Sequence, residues 1–176
     1  MSTMFPLLLT LKVAGIATLG ALNVGVPPPW PSNRYTFAGR DLAEVVLTLP
    51  LVLPPTVLGY YLLVLVGRNG SIGRWLNDTF GVTLIFTWQG AVLAAMIVSL
   101  PLIFKSAGAA FAAVNRQCEE AAATLGASGP TIFLRVSLPL AWRGVLAGSM
   151  LAFARAMGEF GATLMVAGNL PGRTQT

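Results

Sequence analysis

Long apolar stretches, each closed by a polar break, decide what this chain can become. Residues 5–26, 42–66, 82–104 and 144–167 are mostly apolar throughout. A helix needs about 20 such residues to cross the hydrocarbon core of a bilayer. The segments between them are polar: Ser32 to Asp41, Gly67 to Gly81 and Ser106 to Arg143, with Gly168 to Arg173 after the last. Only 10% of the 176 residues are charged while 55% are hydrophobic, and mean hydropathy is +0.75. Soluble domains carry about 25% charge, so the pattern predicts an all-α integral membrane bundle of about four helices.

Prolines mark where those helices are interrupted. Pro27-Pro28-Pro29-Trp30-Pro31 follows the first stretch, and such a run cannot continue a helix because each proline lacks a donor and clashes with the preceding turn. This leaves the first span short. Pro50, Pro54 and Pro55 fall in the first half of the second stretch and predict a kink or a broken start, which a membrane protein tolerates where neighbours or water satisfy the freed carbonyls. In the third stretch Trp88 and Gln89 interrupt the apolar run and Lys105 ends it. The first stretch has no charged leader and no small-residue cleavage site, with Lys12 lying inside the run, and reads as mature sequence.

Several function classes are excluded by composition. There is no His and a single Cys, Cys118, which removes Cys/His metal sites, a His-based triad and an internal disulfide. Cys118 reads as a small helix residue without a base to activate it. The net charge of +5 suits anionic lipid. No basic run exists and Lys12 and Lys105 are the only lysines, so nucleic acid is not the partner. No Gly-x4-Gly-Lys-Ser/Thr loop is present, so the chain does not hydrolyse ATP through that machinery. Arg34, Arg40, Lys105, Arg116, Arg135 and Arg143 fall on one side of the expected membrane; Arg68, Arg74, Arg173 and Lys12 fall on the other. The Lys/Arg excess places the first side, including the 106–143 loop, in the cytoplasm and the N-terminus outside.

That loop holds the least membrane-like part of the chain. Glu119 and Glu120, two of only 6 acidic residues, precede Ala121-Ala122-Ala123. Val114 to Leu125 contains good helix formers and Gly126 is a C-terminal stop. Ser128-Gly129-Pro130 turns the chain, Thr131 to Val136 starts a second helical piece, and Leu138-Pro139 redirects it toward the fourth span. A short helix of this kind either seats in a partner's groove or lies on the lipid surface as a connector.

Glu120-Ala121-Ala122, three residues, Gly126, nine residues and then Val136-x-Leu138-Pro139 resembles the EAA motif of ABC importer permeases, with Val136 where Ile is usual. Leu49 to Leu63, Gly90 to Ala95 and Leu151 to Thr163 are similar to helices of molybdate permeases, the last also to sulfate permeases. The resemblance runs from about Leu11 to Thr176. It implies a type I ABC importer permease-like bundle forming the path for molybdate or tungstate. Glu119, Glu120, Ala121, Ala122, Gly126, Leu138 and Pro139 would couple it to a cytoplasmic ATPase. The implied assembly is a permease homodimer in the inner membrane, with two ATPase subunits that bind ATP and Mg. An extracytoplasmic molybdate-binding protein delivers the anion, and the permease itself is neither an enzyme nor a cofactor carrier. A sulfate or thiosulfate permease, an ATP-independent channel or secondary transporter, and an inert fragment are the alternatives. The family continues its first helix through the positions of the proline run, and carries roughly fifty further residues, enough for one more spanning helix. This sequence therefore reads as a truncated copy lacking that helix.

Within the spans, Arg155 and Glu159 lie four apart and share a helix face. Unpaired, each costs about 2.5–3.5 kcal/mol inside a membrane, which makes the pair either a structural bridge or part of the path. Pro54, Pro55 and Thr56 are a second candidate for the path or, equally, a packing kink. Gly144, Gly148, Ala152 and Ala156 recur every four residues and form a close-packing stripe, and Gly158 and Gly161 beyond them are assigned to packing as well.

Overall fold

The computed structural model describes residues 4–34, 39–67, 70–81, 83–169 and 174. The described residues form helices: α1 (Met4–Gly25), α2 (Pro29–Arg34), α3 (Arg40–Val52), α4 (Pro55–Val66), α5 (Ser71–Phe80), α6 (Trp88–Ala112), α7 (Arg116–Thr124), α8 (Gly129–Ile132), a π turn (Phe133–Ser137), α9 (Leu138–Met157) and α10 (Gly161–Ala167). Among the described residues three helical runs are long and apolar enough to cross a membrane: Pro6–Arg34, Trp88–Ala112 and Gly129–Met157. The bent pair α3–α4 makes a fourth if it counts as one span.

α6 is the central post. It is apolar all round, as a helix surrounded by others must be. α1 and α9 pack along it most extensively, with α10, α3 and α2 against its remaining sides. α1 runs parallel to it, Gly20 meeting Met96 and Gly25 meeting Ile103, and α9 runs antiparallel, Gly144 meeting Ala110 and Gly148 meeting Ser106. Small side chains make this approach possible: Ala14, Ala17, Ala21, Ala91, Ala95 and Ala152 are all fully buried. Helices in lipid gain from such close packing because lipid tails are as apolar as any Leu. A Cβ on Gly144 or Gly148 would come within 2.5 Å of its α6 neighbour. Leu7, Leu8 and Leu19 on α1 and Met150 and Leu151 on α9 face outward, the surface expected toward lipid.

The helix boundaries depart from the sequence reading in ways the backbone explains. α1 has 22 residues, about 33 Å at the usual rise, so the proline run does not shorten it. Pro29 and Pro31 take up the first turn of α2, where a missing N–H is harmless. The 42–66 stretch is two helices, bent by 116°. Leu53 and Pro54 both precede a proline, which disfavours helical backbone, and both are extended with ψ 137°. The segment read as a polar loop over 67–81 contains α5. The third helix begins at Trp88 rather than 82, capped by Thr87, whose hydroxyl accepts from the Gly90 N–H at 3.3 Å. It continues through Lys105 to Ala112, and Lys105 instead reaches Glu44 on α3 at 2.6 Å. The fourth helical run starts at Gly129, so the 106–143 connection contracts to the α7 region. Leu138-Pro139 does not redirect the chain: the π turn ahead of it, where the Leu138 N–H reaches the Phe133 carbonyl, absorbs the proline within a continuous rod. At the other end α9 stops at Met157, and Gly158, Glu159 and Phe160 separate it from α10. Arg68, Val82 and Arg173 lie outside the described residues.

Candidate functional site

α7 is a short helix closed at both ends by its own local bonds. Asn115 caps its start, its side chain accepting from the Gln117 N–H at 3.0 Å. Its end explains the spacing from Glu120 to Gly126. Gly126 has φ +82°, its N–H bonds the Ala123 carbonyl at 2.9 Å and the Ala127 N–H bonds that of Ala122 at 3.1 Å. This is the paired closure that a left-handed glycine allows. Glu120, Ala121, Ala123 and Thr124 are exposed, Ala122 is half-buried and Leu125 is 88% exposed. Cys118 is exposed as a free thiol. Leu138, half-buried against the core, and the exposed Pro139 begin α9 and are not part of the α7 surface.

The two adjacent glutamates have opposite fates. Glu119 is buried and its carboxylate is fully engaged. One oxygen lies 2.6 Å from Arg34 Nε, with both side chains about nine-tenths buried. The other accepts the Ser137 hydroxyl and, at 3.3 Å, the Trp30 indole N–H. Trp30 also donates to Ser137 Oγ at 2.9 Å, and its ring tilts against Phe133, which in turn meets the buried Phe111. Asn33 and Arg34 add bonds to the α6 carbonyls of Gly108, at 2.8 Å, and Phe111, at 3.4 Å. A buried carboxylate is tolerable only when paired and hydrogen-bonded. This one is paired by α2 and the π turn, while α2 is itself tied to α6.

A second arginine–glutamate pair sits at the break between α9 and α10. Arg155 Nη1 meets Glu159 Oε2 at 2.7 Å, with Glu159 1% and Arg155 35% exposed. Glu159 lies just past the end of α9 rather than within it. Its other oxygen accepts the Ala162 N–H at 2.7 Å, and its carbonyl accepts the Thr163 hydroxyl at 2.7 Å, so it caps α10. A cavity of about 150 Å³ beside it is lined by Thr10, Val13, Ala156, Glu159 and Thr163 among others. The break abuts the other proline-marked one: a Cβ on Gly161 would stand 3.1 Å from Pro55 and 3.4 Å from Thr56, and Gly59 of α4 packs against Ala162. Two candidates far apart in sequence, Pro54-Pro55-Thr56 and Arg155/Glu159, therefore occupy adjoining breaks. Gly158 meets no other helix and ends α9. Among the described residues no group of His, Cys, Asp or Glu could hold a metal ion.

Residues 7–175 match the family of binding-protein-dependent transport system inner membrane components. The chain belongs to this family. It is 48% identical over 169 residues to the molybdenum transport system permease protein of Escherichia coli K12, covering 96% of this chain and 74% of the relative. The corresponding Haemophilus influenzae protein is 45% identical, over 96% of this chain and 73% of its own length. A putative molybdenum transport system permease of Bacillus subtilis is 43% identical, over 97% and 75%. The chain is thus a multi-pass inner-membrane permease subunit with the all-helical type I importer fold, and its relatives are transport components rather than catalysts.

Three residues of the permease's buried cluster are not legible in the sequence. There Arg34 reads only as a loop charge, Trp30 only as part of a proline run, and Ser137 carries no signal. One clue does exist: an acidic residue beside a membrane segment needs a cation, and Arg34 is among few in the chain. Which cation it takes depends on how α2 folds back on α6, which no local pattern encodes.

Proposed function

We propose that this permease is the membrane-spanning subunit of an ATP-driven importer for molybdate, working as a homodimer with two cytoplasmic ATPase subunits that bind ATP and Mg and an extracytoplasmic molybdate-binding protein. One observation carries the coupling half of this reading: α7 is a capped helix whose Glu120 and Leu125 project freely while its base is held by Glu119. That is the shape of a helix that seats in a partner's groove. The substrate half rests on relatives named for molybdenum transport. The α7 end lies in the cytoplasm and the N-terminus outside, following the Lys/Arg excess.

ATP binding closes the ATPase dimer, displaces both α7 helices and rearranges the path by rigid-body motion. The adjoining breaks at Pro54-Pro55-Thr56 and Gly158–Gly161 are the flexible part of that path, since helix breaks concentrate where backbone must line a cavity or move. Arg155 is neutralised by Glu159, so the pair holds the break in shape and does not bind the anion.

Two measurements test the proposal. Glu120→Arg, a change at an exposed position, is expected to remove the chain from material purified through a tag on its ATPase subunit; undiminished co-purification would sink the docking assignment. Uptake of radiolabelled molybdate is expected to persist in excess sulfate, and equal competition by sulfate would overturn the substrate assignment.

A further inference from the structure

The recognised motif accounts for the exposed face of α7 but not for its buried one. Glu119 faces inward, and its three partners come from two segments, one upstream of α6 and one in the rod that leads to α9. Arg34 and Trp30 belong to α2, the direct continuation of α1. Ser137 belongs to the π turn, the direct lead into α9. A π turn adds a residue to the helix and re-aims the side chains around it, and such turns recur at functional positions. Here the re-aimed side chain is Ser137, fully buried and pointed at the carboxylate. A push on α7 therefore reaches α1 through the Glu119 carboxylate, and reaches α9 through the same carboxylate together with the short turn that joins α7 to α8.

From this geometry we infer that Glu119 is a positioning residue for energy coupling, and that Arg34 and Trp30 are the other half of the same device. They convert displacement of α7 into movement of α1 as well as α9. The inference rests on the coupling role proposed above for α7. It gives the two adjacent glutamates different roles, in that Glu120 meets the partner and Glu119 transmits what the partner does. Arg34 supplies the charge that pairs with Glu119 and fixes it, and the Trp30 indole N–H closes the link to Ser137. The rings of Trp30, Phe133 and Phe111 fill the space behind them, so the device is stiff in compression as well as bonded.

The test uses the full permease assembled with its ATPase subunits in proteoliposomes and reads two quantities: the amount of ATPase retained, and molybdate moved per ATP hydrolysed. Glu119→Gln and Arg34→Gln, each alone, are expected to keep the ATPase bound but lower molybdate per ATP at least tenfold. The double variant, with no unpaired charge, is expected to recover to within threefold of the unaltered permease. Trp30→Phe keeps the ring stack and removes only the N–H, and is expected to lower the ratio about threefold with assembly intact. An unchanged ratio in assembled Glu119→Gln and Trp30→Phe complexes would overturn the inference while leaving the coupling role of α7 standing. Equal loss of bound ATPase in the single and double variants would also overturn it, because Glu119 would then be a docking contact. Unaltered chain that retains no ATPase would overturn the coupling role itself, and this inference with it.

Discussion

Two buried glutamates, each paired with an arginine, mark the two ends of the bundle, and their surroundings differ in kind. Glu159 takes all its partners from within four residues: Arg155, the Ala162 N–H and Thr163. Glu119 takes none from its own helix; Trp30 and Arg34 are 89 and 85 positions away in sequence, and Ser137 is 18 away on the π turn. The first arrangement is a local cap that shapes one break. The second is a clamp that fixes how separate segments sit on one another. The same chemistry thus serves a local purpose where the chain bends and a long-range one where separate segments are held together, and the partners' sequence distance tells which.

This contrast can be broken by removing each carboxylate. Glu119→Ala leaves Arg34 buried without a counter-charge, which is expected to cost about 3–5 kcal/mol in unfolding free energy measured in detergent micelles. Glu159→Gln is expected to cost only about 1 kcal/mol, since the amide oxygen can still accept from the Ala162 N–H and Arg155, in the last turn of α9, can extend toward the membrane interface. Equal losses would erase the distinction between clamp and cap. The glycines that follow α7 and α9 sharpen it further. Gly126, at φ +82°, needs the left-handed conformation, so Gly126→Ala should cost about 1 kcal/mol. Gly158 ends α9 at φ −87° with no neighbour in the way. Gly158→Ala should therefore change stability by less than about 0.5 kcal/mol in the same measurement.

α7 is easier to read from sequence than the clamp behind it. Asn115, Gly126 and the residues between them form a local pattern with local causes, a cap at one end and a left-handed stop at the other, so its limits can be found without tertiary information. The long apolar runs likewise announce the helices of the bundle. The break after Leu53 is harder to place, because Pro50 and Pro101 stay inside helices while Pro54 does not. The difference is the second proline: Pro54 itself precedes Pro55 and is pushed out of the helical region, whereas an isolated proline forfeits only one bond to the turn before it. Glu159 reads as helical because it lies four residues after Arg155. The pair forms even though α9 has ended, since Gly158 keeps a near-helical backbone between them. Trp30 and Arg34 cannot be assigned from sequence at all, for their role comes from where α2 lands against α6 and α7.

The π turn has a consequence of phase as well as of contact. A helix with one residue too many carries everything after it roughly 100° further round its axis than an unbroken α-helix would. The rod from Gly129 to Met157 therefore presents its small-residue seam, Gly144, Gly148, Ala152 and Ala156, to the central post at an angle set by Phe133–Ser137. Deleting a single residue from that turn would shorten the rod by only about 1.5 Å yet swing the seam off the post whenever the α7 end stays in place. In this bundle one surplus residue works as an angular setting, fixing the rotation between the α7 end of the rod and the seam that packs on the post.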